Sequence, residues 1–244
     1  IDRWALALAS CVIVLTHEAK HMLLEENDIR NIHVIPTSVQ AIKQPQKSEI
    51  DTHGEEIFKF VYSGGARYPY KFKELIEFLH ILGLIFPVEL TIYNKSDVPM
   101  IESLLEDLSP SFDYQILNLP HQELFATLPS FDCALFLIDV TPARSTCCPT
   151  KLGEFLSAGL PILTNSGIKI VDEIKQQYGN IFHIDHLIGP ADNIVDISLR
   201  LNEVKDFINN SKGDLRTSKK AFDENFDINI AITSYLRAYK SIAG

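Results

Sequence analysis

Three runs decide the fold: Cys133-Ala134-Leu135-Phe136-Leu137-Ile138, then Thr150-Lys151-Leu152-Gly153-Glu154-Phe155-Leu156-Ser157-Ala158, then Pro161-Ile162-Leu163-Thr164. The first is continuously apolar, as a strand covered on both faces must be. The second places Leu152, Phe155 and Leu156 on one helical side and stops at Gly159. The third is a short apolar run opened by a proline. Strand, helix and strand in that order form a parallel unit with a helical crossover.

The same alternation extends outward in both directions. Towards the N-terminus it predicts strand Phe58–Ser63, helix Lys71–Leu84, strand Glu89–Tyr93, helix Val98–Leu108, strand Tyr114–Leu117 and helix His121–Leu128. Towards the C-terminus it predicts helix Lys169–Tyr178, strand Ile181–Ile184 and two or three helices from Asn193 onward. Ahead of residues 40–56, a polar stretch with Pro45 and Gly54 that reads as a linker, come strand Cys11–Leu15, helix His17–Glu26 and strand Ile32–Ile35. The pattern predicts an α/β protein with a Rossmann-like parallel sheet covered on both faces.

Composition narrows the function. The 244 residues are 46% hydrophobic and 22% charged, which is globular usage, and 22 Lys+Arg against 32 Asp+Glu give a net charge of −10. A surface of that sign repels phosphate backbones, so broad nucleic-acid binding is not expected. Cys11, Cys133, Cys147 and Cys148 form no zinc-type spacing, and the vicinal pair is too close for an ordinary disulfide, so a reducing, cytoplasmic setting is expected. The apolar run Trp4–Leu15 is short of a membrane span. It reads better as a helix end followed by a buried strand than as a signal peptide.

In such sheets ligands collect beyond the carboxyl ends of the strands. That directs attention to Ser63–Lys71, Leu117–Gln122, Asp139–Lys151 and Thr164–Lys169. Gly64 and Gly65 directly follow a strand and permit close backbone approach to a ligand, or simply a tight turn. They are not G-x-G-x-x-G, and the end of the next strand offers no acid for a ribose, which argues against a dehydrogenase-type site. Thr150 reads as the cap of a helix whose first amides, with Lys151 beside them, suit a diphosphate. Glu154, one turn in, suits the vicinal diol of a ribose or is a helix residue favoured by the dipole.

Residues 149–165, Pro-Thr-Lys-Leu-Gly-Glu-Phe-Leu-Ser-Ala-Gly-Leu-Pro-Ile-Leu-Thr-Asn, resemble the donor-site motif of GT-B glycosyltransferases of the group 1, family 4-like type. Phe60–Gly65 is similar to the first strand and glycine turn of that family's nucleotide-sugar domain, and Phe131–Leu135 to the strand before the motif. Ile32–Val39 resembles the end of the preceding acceptor domain, and the C-terminal run with Phe222, Phe226, Tyr235 and Tyr239 resembles the closing helices. The resemblance therefore covers nearly the whole chain.

The resemblance implies a division into the tail of an N-terminal acceptor domain (1–39), a linker (40–56), a nucleotide-sugar-binding domain (57–227) and a helix returning to the acceptor domain (228–244). It implies a hexosyltransferase-like enzyme that moves a sugar from a nucleotide diphosphate sugar to a glycan or lipid-linked acceptor, in polysaccharide or glycoconjugate assembly. Retention of configuration is implied, as is independence of metal or other cofactor, with which the lack of any Asp-x-Asp sequence agrees. Glu154 matches the second glutamate of the family's E-x7-E motif, which holds the ribose. The first falls on Thr146, a departure, so sugar contacts are expected from Ser145, Thr146 or amides near Cys147. Arg67 matches the first cation of the phosphate-binding pair, and Lys71 and Lys73 compete for the second. Arg67 and Lys151 are the expected catalytic cations; the loop holding Leu119 corresponds to the one that contacts the base.

The chain begins at Ile1, and against this pattern it is expected to be a fragment that does not transfer sugar alone, from a cytoplasmic enzyme with peripheral contact to the inner membrane face. Two other functions fit the same pattern: a UDP-sugar 2-epimerase on the same scaffold, against which Thr146 counts, and a non-catalytic Rossmann-like binding module. His17, His21, His33 and His53 lack ligand spacing, and His183 and His186, flanking Asp185, read as cleft-lining residues or, better, as part of a surface turn. Cys147-Cys148 are expected to be small semi-buried residues, and Lys219-Lys220 part of a solvated helix face.

Overall fold

Alternation along the central strands sets the architecture. The computed structural model describes residues 3–42, 57–187, 194–211 and 214–243. In β3 (Phe58–Ser63), Phe58, Phe60 and Tyr62 enter one apolar layer and Val61 enters the other. The next segments repeat this: Cys133, Leu135 and Leu137 face the first layer, Ala134, Phe136 and Ile138 the second.

The six-stranded sheet is parallel throughout. It consists of β3, β4 (Val88–Tyr93), β5 (Asp113–Leu117), β6 (Cys133–Leu135), β7 (Ile162–Thr164) and β8 (Ile181–His183), in the spatial order β5-β4-β3-β6-β7-β8. Strand order reverses between β3 and β6, which creates a crevice beyond their carboxyl ends.

One face is covered by α3 (Phe72–Gly83), α4 (Val98–Leu108) and α8 (Ile194–Ser211), through Leu75, Leu79, Ile101, Leu105, Leu201 and Val204. The other is covered by α5 (His121–Thr127), α6 (Thr150–Ser157), α7 (Lys169–Tyr178) and α9 (Leu215–Asn225), through Leu152, Phe155, Val171, Ile174 and Phe222. Phe60, Phe155 and Phe222 are essentially inaccessible to water. Truncating any of them to Ala would cost about 3–5 kcal/mol.

The N-terminal segment is a smaller unit. Helix α1 (Arg3–Leu8) leads to β1 (Val12–Val14), α2 (His17–Glu26) and β2 (Ile32–Val34), with the two strands paired in parallel. The expected buried strand here is instead half-exposed, with Ile13 at 37%, and it pairs only with β2 among the described residues. Beyond it, Val39 bridges Asp227 in parallel, Val39 N–H donates to Phe226 O, and Ile228 N–H donates to Val39 O. Helix α10 (Ile228–Ala243) returns to this unit, where Asn31 Nδ2 donates to Ser241 Oγ at 3.0 Å. The expected linker lies mostly on 43–56 and the expected helix start at Asn193, both outside the described residues.

Candidate nucleotide site

At the carboxyl end of β3 the chain turns sharply. Gly64 has φ +120° and donates its N–H to Tyr93 O at 3.0 Å. An L side chain at that φ would be strained. Tyr62 lies beneath the turn, its ring edge-on to Phe72 at 5.0 Å and its hydroxyl donating to Gly65 O. Burial, then the charges of Tyr70 and Asp97, raise the Tyr62 phenol far above its usual range.

The loop after β4 grips this turn. Asn94 Nδ2 donates to Gly64 O at 2.7 Å, and Asp97 accepts from Ala66 N–H at 2.9 Å and from Arg67 Nε at 2.9 Å. The Ala66 amide bond, with Arg67 and Asn94 assisting against burial, holds the Asp97 carboxyl below the usual range. Arg67 is thereby oriented while its side chain remains 69% exposed.

Helix α6 approaches from the far side of the crevice. The Lys151 ammonium lies over the rings of Tyr62 (5.0 Å) and Tyr70 (5.1 Å), yet its Nζ is shielded from solvent without a hydrogen-bond partner among the described residues. A β-carbon placed on Gly64 would sit 1.7 Å from that Nζ. Burial lowers the Lys151 pKa to about 8, although the nearby Glu154 charge pulls it upward. A buried cation satisfied only by aromatic faces is costly without an anion.

Glu154 follows one helical turn later. Its side chain is 12% exposed, and its Oε1 lies 3.3 Å from His121 Nε2. His121 opens α5 immediately after the Leu117–Pro120 loop, and its ring packs on Phe125 at 4.3 Å. Leu119, in that loop, is half-buried against the α6 side of the core.

The remaining expected residues divide. Thr150 is not the helix cap: Pro149 holds that position, without a side-chain capping bond, and Thr150 is the first helical residue. Pro149 has no side chain that could cap the helix, and Thr150, one position further in, is exposed. Ser145 and Thr146 form the turn before α6, with their hydroxyls donating back to Pro142 O and Ala143 O. Lys71 and Lys73 are turned to glutamates of their own helix, Glu74 and Glu77, each at 3.8 Å. Lys151, brought from the opposite wall, lies directly against the glycine turn.

Asn94 and Asp97 lie outside the loops that the sequence marks; Tyr70 and His121 lie inside two of them, and Tyr62 in the strand before the glycine turn, without a side-chain signal of their own. β4 neighbours β3, and the loop after it opens onto the same crevice. His183 also departs from the expected surface turn. It is 15% exposed, lies 3.4 Å from Asp172, and its pKa is lowered by burial and by Lys175. Cys148 is buried and Cys147 half-buried, both free thiols whose pKa values burial raises.

The parallel strand order and the glycine turn at its switch point belong to a Rossmann-like sheet, and the fold matches that of GT-B glycosyltransferases. No family model and no curated protein sequence matches this chain. Solved structures match it in fold. An S. aureus TarM mutant in complex with Fondaparinux, alpha-GlcNAc-glycerol and UDP is similar with a TM-score of 0.66 and 15% identity, over 96% of this chain and 44% of that one. A glycosyltransferase from Rickettsia africae ESF-5 gives 0.65 and 13%, over 96% and 63%. A GtfA/B complex gives 0.63 and 11%, over 95% and 45%. The chain thus spans between 44% and 63% of the length of these three structures. Among the described residues, no helix is long and apolar enough to cross a membrane, and no group of three or more His, Cys, Asp or Glu side chains is arranged to hold a metal ion.

Proposed function

We propose that this chain is the donor-binding part of a glycosyltransferase, which takes a nucleotide diphosphate sugar and serves transfer to a glycan or lipid-linked acceptor. The observation that carries this reading is the Lys151 ammonium at the start of α6, seated on the Gly64 turn and buried without a hydrogen-bond partner among the described residues. A diphosphate at that point would satisfy the buried cation, the exposed Arg67 guanidinium and the first amides of α6 together.

The chemistry follows from charge development. Cleaving the anomeric C–O bond leaves negative charge on the departing diphosphate. Arg67 and Lys151 stabilise that charge more in the transition state than in the bound donor. Asp97 keeps Arg67 aimed, and Glu154 accepts the ribose diol once His121 yields its contact. These residues supply the cationic stabilisation without a metal ion. Retention of configuration rests on the resemblance of 149–165 alone, as does a place in polysaccharide assembly, on the cytoplasmic side with peripheral membrane contact. The acceptor would be held by residues outside this chain, which alone is expected to bind donor without transferring sugar.

Calorimetric titration with UDP, GDP and ADP tests the reading. One nucleoside diphosphate should bind, and at one hundred times its Kd should add about 2.7 kcal/mol of stability in thermal denaturation. Absence of binding by all three at millimolar concentration would sink it.

A further inference from the structure

The turn that precedes α6 is held from outside itself. Ser145 O accepts from Lys169 N–H at 3.0 Å, Thr146 O accepts from Thr16 Oγ1 at 2.8 Å, and Cys148 O accepts from Thr37 Oγ1 at 3.1 Å. Two of those three donors belong to the N-terminal unit. The peptide between Thr146 and Cys147 is fixed at both ends, because Cys147 N–H donates to Arg144 O at 3.0 Å. A peptide plane held at its carbonyl and its amide cannot rotate without breaking a bond.

Thr16 is suited to this contact by its chemistry. It is 3% exposed and caps α2, its Oγ1 accepting from Ala19 N–H at 3.2 Å. A hydroxyl can accept that bond and still donate its own hydrogen, which a carboxylate cap cannot do. The hydrogen goes to Thr146 O, 130 residues along the chain. Helix capping alone does not require that second bond.

We propose that Thr16, assisted by Thr37, is a positioning residue that ties the N-terminal unit to the Ser145–Cys148 turn and fixes it for the sugar of the donor. This rests on the donor-site reading given above. The resemblance of residues 149–165 sets Thr146 at the place where the family's motif has a glutamate, and the Thr146 hydroxyl is committed to Ala143 O. Recognition of the sugar then falls to the backbone of the turn, and the backbone is only as well placed as the bonds that hold it. The N-terminal unit thereby acts on the donor without touching it.

Three substitutions separate the roles of Thr16. Thr16→Ser keeps cap and latch, Thr16→Asp keeps the cap but loses the donated hydrogen, and Thr16→Val loses both. Affinities for UDP, GDP and ADP would be measured beside those for UDP-glucose, UDP-N-acetylglucosamine, GDP-mannose and ADP-glucose. In Thr16→Asp and Thr16→Val the preference for nucleotide sugar over nucleoside diphosphate should fall roughly three- to tenfold, the range of one hydrogen bond. Thr16→Ser should retain it. An unchanged preference in Thr16→Asp, or an equal loss for sugar-bearing and sugar-free nucleotides, overturns the proposal. Ligand-free hydrogen exchange supplies the second measurement: Thr146 and Cys147 amides should exchange faster in Thr16→Asp and Thr16→Val but not in Thr16→Ser. Unchanged exchange overturns the latch whether or not nucleotide binds. Failure of the unmodified chain to bind any nucleotide overturns the donor reading instead.

Discussion

Lys151 and Gly64 occupy adjoining space, so that a side chain at position 64 would collide with the Lys151 ammonium. The ammonium rests where a β-carbon would project from the turn, at 1.7 Å, and the φ of +120° at Gly64 independently disfavours any side chain. Glycine here serves both a backbone conformation and an approach distance.

Gly64→Ala should therefore remain folded with a loss of about 1–3 kcal/mol, the cost of a strained backbone position. Lys151 can swing its flexible end aside, so the steric part falls on function. Nucleoside diphosphate affinity should drop at least tenfold by calorimetry. Unchanged affinity together with a lowered Tm would show that the turn matters only for folding.

Lys151→Met should separate stability from binding. Removing a buried, unbonded charge while keeping its volume should raise stability by about 1–3 kcal/mol near neutral pH. The linkage sign follows from the folded pKa of about 8, below the ordinary 10.5. Between those values the unfolded chain binds more protons, so the stability of the unmodified protein rises with pH across that window. The advantage of Lys151→Met should thus be full below pH 8 and close towards pH 10.5, as denaturant titrations would reveal. Nucleotide binding has the opposite trend. A diphosphate favours the protonated amine, so Kd should weaken by up to tenfold per unit above pH 8, while Lys151→Met should bind poorly with no such slope.

The fold was legible where alternation and stop residues agree. Strand β3, α4 and α7 occur at the boundaries expected from sequence, since apolar periodicity ends there at a glycine, a serine in left-handed conformation or a turn. The strand expected over Cys133–Ile138 pairs in the sheet only to Leu135. Past that point Asn165 takes over, its side chain accepting from Ile138 N–H and donating to Ile138 O. A polar side chain that substitutes for a strand leaves no trace in hydrophobic pattern. The site was legible one residue at a time: Gly64 and Lys151 carried local signals, whereas the Asp97–Arg67 pair spans 30 residues and Thr16–Thr146 spans 130. Such pairings are products of strand order, which periodicity does not encode.

Glu154 carries a prediction about the sugar ring of the nucleotide. If its carboxylate holds the ribose diol, the unmodified chain should bind whichever nucleoside diphosphate it accepts more tightly than the 2′-deoxy form by roughly tenfold, the scale of a charge-assisted hydrogen bond. Glu154→Ala should bind both equally. His121→Ala removes the group now 3.3 Å from Oε1 and should leave that discrimination intact. If Glu154→Ala still discriminated between the two nucleotides, Glu154 would have no part in ribose recognition.

Asp97→Asn addresses how Arg67 is aimed. Asp97 is held below its ordinary pKa of 3.8, first by the Ala66 amide and then, against burial, by Arg67 and Asn94. A depressed carboxyl contributes stability that is present above pH 3.8 and lost as pH falls through its folded pKa. The variant should therefore be less stable than the unmodified chain at pH 7, and the difference should shrink as both are acidified below pH 3.8. Arg67, freed from its partner, should then sample orientations away from the diphosphate, and affinity should fall several-fold at pH 7. Arg67→Ala should lose at least as much affinity with little change in stability, since its side chain is 69% exposed. A double variant no weaker in binding than Arg67→Ala alone would establish that Asp97 acts on the nucleotide only through Arg67. Additive losses would instead place Asp97 in the site on its own account.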